Sequence, residues 1–361
     1  MRRLQLNLKA LLSKAVQRAY PVTLPVSLGV PKPSQNCDFV SQVPGEIFDK
    51  YQKEGVCYGL FNAREVADGV FVHIERSPLV RKVKVNGLGE LELTLEEGFL
   101  ETVLEEINGK FEIERSGKSL EGVNLMMDWR SFSSACRAGI CAETIIKCLK
   151  RANQPSETRI YGEIAQIDLS DPTAMLSIAR SVLNRNTQAS ADFVRSKLPS
   201  GKSFIHCTDI SLKPVFAQFQ PIHIFSSIFD PSGNPISADF NPTPSDILKI
   251  QATSPILPVQ ITPADDQNAF HQLSSLLYLP SSANPIDTYS TRRLSVLLAQ
   301  YSDIIHETPV LGPTHLASYV DSIVQTIAPI KSSLSPKLAY ATAIVAAEAR
   351  SLLGLPLPSS H

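Results

Sequence analysis

Four side chains with chemical potential stand close together between Cys136 and Glu143: Cys136, Arg137, Cys141 and Glu143. A cysteine nucleophile needs a neighbouring base to take its proton and a third group to orient that base. No histidine accompanies either thiol, so covalent catalysis lacks its base here. His206, Cys207 and His223 form the best metal-ligand group in the chain. A structural zinc site closes with a fourth ligand at a characteristic spacing, and none stands at such a spacing. His73 has no metal partner in sequence and reads as a surface or edge histidine. The residues therefore imply no catalytic group, no metal and no cofactor.

The first cluster belongs to DWRSFSSACRAGICAETIIKCLKR, from Asp128 to Arg151, the stretch around which the chain is organised. It opens on a polar turn (Ser131, Ser133, Ser134), passes Gly139 and continues as a helix with Ile140, Thr144, Ile145 and Leu149 on one face. Lys147, Lys150 and Arg151 lie opposite or near the C-terminal end, where cations suit the helix dipole. A loop leading into a helix offers free N–H groups to an anion. This loop holds one glycine, whereas a phosphate cradle needs several. Its shape suggests binding, and the chemistry for more is missing.

With 361 residues, 43% of them hydrophobic, the chain can fill two or three domains. Its net charge of -1 is unevenly spread. Met1 to Ser34 holds six bases and no acid, and from Glu90 to Glu121 acids outnumber bases ten to three. From Trp129 to Lys202 eleven bases face six acids, the best candidate for a polyanion-facing surface, with a solvated face as the plainer reading. The six cysteines (Cys37, Cys57, Cys136, Cys141, Cys148, Cys207) fit no disulfide framework and read as free thiols in a reducing compartment. No run has the length of a membrane span. Arg2, Arg3, Lys9, Lys14 and Arg18 admit a mitochondrial presequence, while Leu4, Leu8 and Leu12 read as one side of a structural helix.

The elements follow from periodicity. Helices are predicted over residues 4–19, 41–52, 92–107, 172–183, 190–198, 269–279 and 291–305, with two more opened by Pro313 and Pro336. The even spacing of Val66, Val70 and Val72 predicts a strand from Arg64 to Glu75, and residues 110–114 and 123–127 are short strands. Prolines crowd the segment from Gly201 to Pro263, which reads as short strands and irregular connections, with an exposed loop from Asp230 to Ser245. Leu316, Tyr319, Val320, Ile323 and Ile327 line one face of the penultimate helix. Closely spaced alanines from Ala339 to Ala349 complete a compact bundle.

Three segments together resemble arginyl-tRNA synthetases, and within them the type that carries a DALR anticodon-binding domain without catalysis. LNLKALLSKAVQRAYP, CDFVSQVPGEIFDKYQ and GVFVHIERSPLVRKV are similar to that family's N-terminal additional domain. RAGICAETIIKCLKRANQPSETRIYG is similar to its first signature segment. YSTRRLSVLLAQYSDIIHE, GPTHLASYVDSIVQTIAP and KLAYATAIVAAEARSLLGLPLP are similar to its helical anticodon-binding domain. The resemblance implies an α/β plus all-α chain in three parts. Residues 1–88 would form the N-terminal-like α+β domain, 89–262 a reduced and degenerate class I synthetase-like core, and 263–361 the helical bundle.

The departures bear on activity. The family's signature carries two histidines that stabilise ATP phosphates; Arg137 and Ile140 stand at the corresponding positions, with Gly139 retained. Isoleucine donates no hydrogen bond to a developing charge. The lysine-bearing second signature has no counterpart, and the core is short. The resemblance therefore implies lost aminoacylation and a tRNA-binding adaptor, with arginine tRNA favoured and a 3-methylcytidine methyltransferase as partner. The alternative is a structural subunit among mitochondrial ribosomal proteins. The first reading places the chain in the cytoplasm, the second in the mitochondrial matrix. In the bundle, RNA would meet Arg292, Arg293, His315 and Tyr319, the last reading equally as core. Lys147, Lys150, Arg151 and Arg159 would meet it from the degenerate domain, or form a solvated face.

Overall fold

Leu4, Leu8, Leu12, Ala15 and Val16 put one apolar stripe on a helix, and in the computed structural model all five are buried on α1 (Leu4–Ala19). The structure describes residues 1, 3–32, 35–55, 59–114, 120, 122–126, 131–154, 157–160, 163–167, 174–183, 204–209, 222–261, 288–330 and 334–355. The chain divides into two compact units. Met1–Glu112 with Thr288–Asp303 forms the first, and Ile113–Asp287 with Ile304–His361 the second. An N-terminal mixed α/β region is followed along the chain by an all-helical bundle.

The first unit holds an antiparallel sheet in the order β1 (Phe39–Ser41), β3 (Leu91–Leu95), β2 (Val80–Val85). It also holds α1, α2 (Val43–Lys53), α3 (Ala63–Val72) and α4 (Glu97–Asn108). Three expectations fail here. Residues 64–75 are not a strand: Val66 and Val70 are four apart on one face of α3, whose start is fixed by Asn62 accepting the Glu65 N–H at 3.0 Å. The local capping signal outweighs the even spacing of the valines. The stretch from Glu92 to Ile107 is not one helix. Leu91, Leu93 and Leu95 are buried at period two, Glu96 is extended, and only then does α4 begin. Residues 110–114 form no strand.

The first turn of α1 lacks an acceptor of its own, since Arg3 makes no side-chain cap. Asp303 supplies one: its buried carboxylate accepts the N–H groups of Gln5 at 2.7 Å and Leu6 at 3.3 Å. Asp303 lies on α8 (Thr288–Leu311), a long helix whose first part belongs to this unit.

The second unit is built on a five-stranded sheet. Its order is β6 (Glu163–Ala165), β5 (Glu157–Ile160), β4 (Gly122–Met126), β7 (Phe204–Asp209), β8 (Ile222–Phe225). All neighbours are parallel except β6 on β5. Gly122 is required where β4 meets β5, because a Cβ there would lie 1.8 Å from the Glu157 carbonyl oxygen. Helix α5 (Phe132–Arg151) packs on β4 and β7, and α6 (Ala174–Leu183) packs on α5. Val123, Leu125, Ile145, Ile205 and Phe225 join one apolar core.

Beyond β8, the short strands β9 (Ile228–Phe229) and β10 (Val259–Gln260) pair in parallel around α7 (Pro244–Ala252). Helix α7 interrupts the segment expected to be strands and irregular chain. Its signal is legible as T-P-S-D: Thr243 caps the Asp246 N–H, Asp246 returns the bond and Pro244 opens the helix. Pro313 and Pro336 stand at the first positions of α9 (Pro313–Ile327) and α10 (Pro336–Leu352). The helices expected over 190–198 and 269–279 lie outside the described residues.

Candidate functional site

Helix α5 starts at Phe132, well before the expected place, so the polar turn through Ser133 and Ser134 is helix rather than an open loop. Tertiary partners make this possible. Ser133 Oγ donates to the Ile228 carbonyl and accepts the Ile228 N–H at 2.7 Å, tying α5 to β9. One turn later Arg137 is fully buried. Its Nη2 donates to the carbonyls of Thr253 at 3.2 Å and Ser254 at 2.9 Å. Its Nη1 donates to those of Ser226 at 3.4 Å and Leu257. Burial lowers the pKa of the guanidinium. Ile140 is buried on the same helix. Arg137 is thus a buried cation bonded to backbone carbonyls, and Ile140 an aliphatic core residue.

The other candidates from this unit differ in their surroundings. Lys147 pairs with Glu143 at 2.6 Å and donates to the Ser351 carbonyl at 3.2 Å. Arg151 pairs with Glu348. Arg159 pairs with Glu157 at 2.6 Å and lies 5.6 Å above the centre of the Phe204 ring. Lys150 is exposed, with no ion-pair partner among the described residues. His315, near the start of α9, lies 3.4 Å from Glu307. Tyr319 is only 5% exposed, and burial drives its phenol pKa well upward. The structure places it in the bundle core, so stacking on a base would require it to leave that position.

In the first unit Arg292 holds Asp38 through two bonds, Nε to Oδ1 at 2.9 Å and Nη2 to Oδ2 at 2.6 Å, and also donates to the Leu95 carbonyl at 2.8 Å. The Leu95 N–H donates to the same carboxylate at 2.7 Å. Arg292 is therefore a fixed tie between α8 and β3. Arg293 is half-buried, lines a small recess with Asn36, Thr94 and Tyr289, and has its pKa lowered by burial. The adjacent Cys37 thiol is pushed up to about 12 by burial and nearby carboxylates, and so stays neutral.

His206, Cys207 and His223 do not converge. Cys207 faces His223 across the β7–β8 register, while alternation turns His206 to the opposite face of the sheet. Among the described residues no three potential ligands are grouped as a metal site. His223 instead supports the backbone, its Nε2 donating to the Pro309 carbonyl at 2.9 Å. That carbonyl's helical partner would be residue 313, a proline without an N–H. Gly312, with φ +95°, makes the turn between α8 and α9 beside the imidazole.

Burial lowers the pKa of His223, and that of His206 to about 4. Both are neutral in the fold, whereas in the unfolded chain they take up protons near the ordinary imidazole value of about 6.5. Their contribution to stability is full above that value and is lost as pH falls toward the native pKa values. The urea midpoint is expected to fall between pH 7 and pH 4.5. In His223→Gln, which keeps a donor but does not titrate, the fall should be shallower. Superimposable pH profiles for the two proteins would remove His223 from this account.

No family model matches the chain, and no curated protein matches it. Solved structures do. Arginyl-tRNA synthetase from Thermus thermophilus superposes with a TM-score of 0.66 at 10% identity, over 100% of each chain. The arginyl-tRNA synthetase of Plasmodium falciparum gives 0.63 at 11% identity, over 98% of each. A putative arginyl-tRNA synthetase from Campylobacter jejuni gives 0.50 at 8% identity, over 74% of this chain and 100% of that one. At such identities the likeness is one of fold. The chain has an arginyl-tRNA-synthetase-like fold.

Proposed function

We propose that this chain is a non-catalytic RNA-binding adaptor that recognises a tRNA, with arginine tRNA favoured, and presents it to a modifying enzyme such as a 3-methylcytidine methyltransferase. The observation that carries the reading is Arg137: its four bonds run to backbone carbonyls, and Ile140 one turn on is apolar. Adenylate formation needs donors aimed at a phosphate as charge develops, and neither side chain offers one. The synthetase-like fold supports tRNA as the ligand class. Burial of Leu4, Leu8 and Leu12 favours retention of the basic N-terminal helix, hence the cytoplasm over a matrix-targeted ribosomal subunit.

Two measurements test this. ATP–pyrophosphate exchange with arginine, with and without arginine tRNA, should stay at background; exchange above it would overturn the non-catalytic reading. Crosslinking and sequencing of bound RNA, alongside co-purifying proteins, should enrich arginine tRNA with a methyltransferase. Ribosomal RNA with stoichiometric ribosomal proteins would favour the structural-subunit alternative.

A further inference from the structure

Among the described residues no carboxylate neutralises Arg137. The guanidinium is fully buried, all its bonds run to uncharged carbonyls, and its Nε meets no acceptor among those residues. A cation taken out of water is ordinarily held by an opposite charge, and carbonyl dipoles replace only part of that attraction. Three of the four carbonyls, those of Thr253, Ser254 and Leu257, come from the short segment that joins α7 to β10. There the Ser254 carbonyl also accepts the Leu257 N–H at 3.0 Å, closing a turn with Pro255 at its second position. The turn carries its side chains outward: Ser254 is exposed, and Ile256 is 61% exposed. A buried cation and an accessible hydroxyl are thus joined through one residue.

Ser254 is followed by proline, the pair that proline-directed protein kinases phosphorylate. Its surroundings separate it from the other such pairs among the described residues. Thr308 is buried. Thr243 Oγ1 is shared with Asp246 in the cap of α7. The hydroxyl oxygens of Ser77 and Ser335 accept the N–H groups of Leu79 at 3.2 Å and Leu338 at 3.4 Å. Only the Ser254 hydroxyl is both exposed and without a hydrogen bond among the described residues. A phosphate there brings close to two negative charges and three strong acceptors. Because the Ser254 carbonyl already lies 2.9 Å from Arg137 Nη2, that phosphate arises on a residue in contact with the guanidinium. A charge-assisted bond is about twice as strong as one to a neutral carbonyl, so the phosphate outcompetes the carbonyls for Arg137.

We propose that Ser254 is a phosphorylation site for a proline-directed kinase and that its phosphate pairs with Arg137, drawing the guanidinium off the carbonyls that clamp residues 253–257 to α5. In the transfer, Ser254 Oγ bonds to the γ-phosphorus of ATP as the bond from that phosphorus to its bridging oxygen breaks. ADP leaves, and the hydroxyl proton passes to the kinase's base. The test incubates the full chain with ATP and a mitogen-activated protein kinase and maps the product by mass spectrometry. Phosphate is expected on Ser254 and not in Ser254→Ala; none on Ser254 overturns the site. The phosphorus-31 signal of the phosphoprotein is then titrated. Paired with a guanidinium, the phosphate's second pKa should lie about one unit below its ordinary value of about 6. It should return to that value in Arg137→Met. Should that variant not fold, wild-type phosphoprotein titrated folded and in urea decides instead, the drop being expected only in the folded chain. Hydrogen exchange at Leu257 and Val259 should quicken on phosphorylation of the wild type. An ordinary pKa in the folded wild type, or a drop that survives in folded Arg137→Met, overturns the pairing.

Discussion

Arg137→Met is expected to lower the stability of the second unit by about 3 kcal/mol, each buried carbonyl left without a donor costing about 1–3 kcal/mol. Methionine keeps the length and apolar stem of arginine but removes every donor. The carbonyls of Ser226, Thr253, Ser254 and Leu257 would lose their bonds at once. Two terms pull the other way. The buried cation no longer has to be desolvated, and carbonyls near the surface can turn to water, so the loss stays below the sum of four bonds. Arg137→Lys should recover only part, because an ammonium cannot spread its donors over carbonyls on two segments as a planar guanidinium does. The check is urea unfolding followed by a probe of the second unit, with hydrogen exchange across residues 253–259. Faster exchange there should precede global unfolding. A midpoint within error of wild type would mean that Arg137 is not the clamp its geometry describes.

The sequence made the ends of the chain legible and blurred its middle. Helix α1 could be read because its leucines repeat at helical spacing with no competing signal. The same holds for α9 and α10, each announced by proline at the first position. Residues 64–75 misled because an even run of valines fits a strand as well as one face of a helix. Only the Asn62 cap with Glu65 three residues on decides between them. At α7 the capping box was written plainly but lay hidden among prolines. The candidate site was hardest, since its logic is tertiary. That Arg137 bonds to residues 89–120 positions away, or that Arg292 is spent on Asp38 254 positions away, follows from no local pattern.

Deleting Met1–Tyr20 is expected to abolish the fold of the first unit. Leu4, Leu8, Leu12 and Val16 are buried, and at about 1.5–3 kcal/mol for each large aliphatic side chain they contribute on the order of 6–12 kcal/mol. That is comparable to the whole stability of a typical domain, about 5–15 kcal/mol. The deletion would also leave the buried Asp303 carboxylate without the Gln5 and Leu6 N–H groups, a second cost that Leu→Ala changes do not incur. A milder form separates the two: Leu8→Ala should cost about 2–5 kcal/mol while keeping the cap. Limited proteolysis followed by mass spectrometry reads the outcome, with cleavage expected throughout residues 39–108 in the truncated chain and not in wild type. If the truncated chain resists protease over those residues, α1 is dispensable to the fold. The basic N-terminus would then be free to serve as a cleaved presequence, as the alternative of a mitochondrial ribosomal subunit requires.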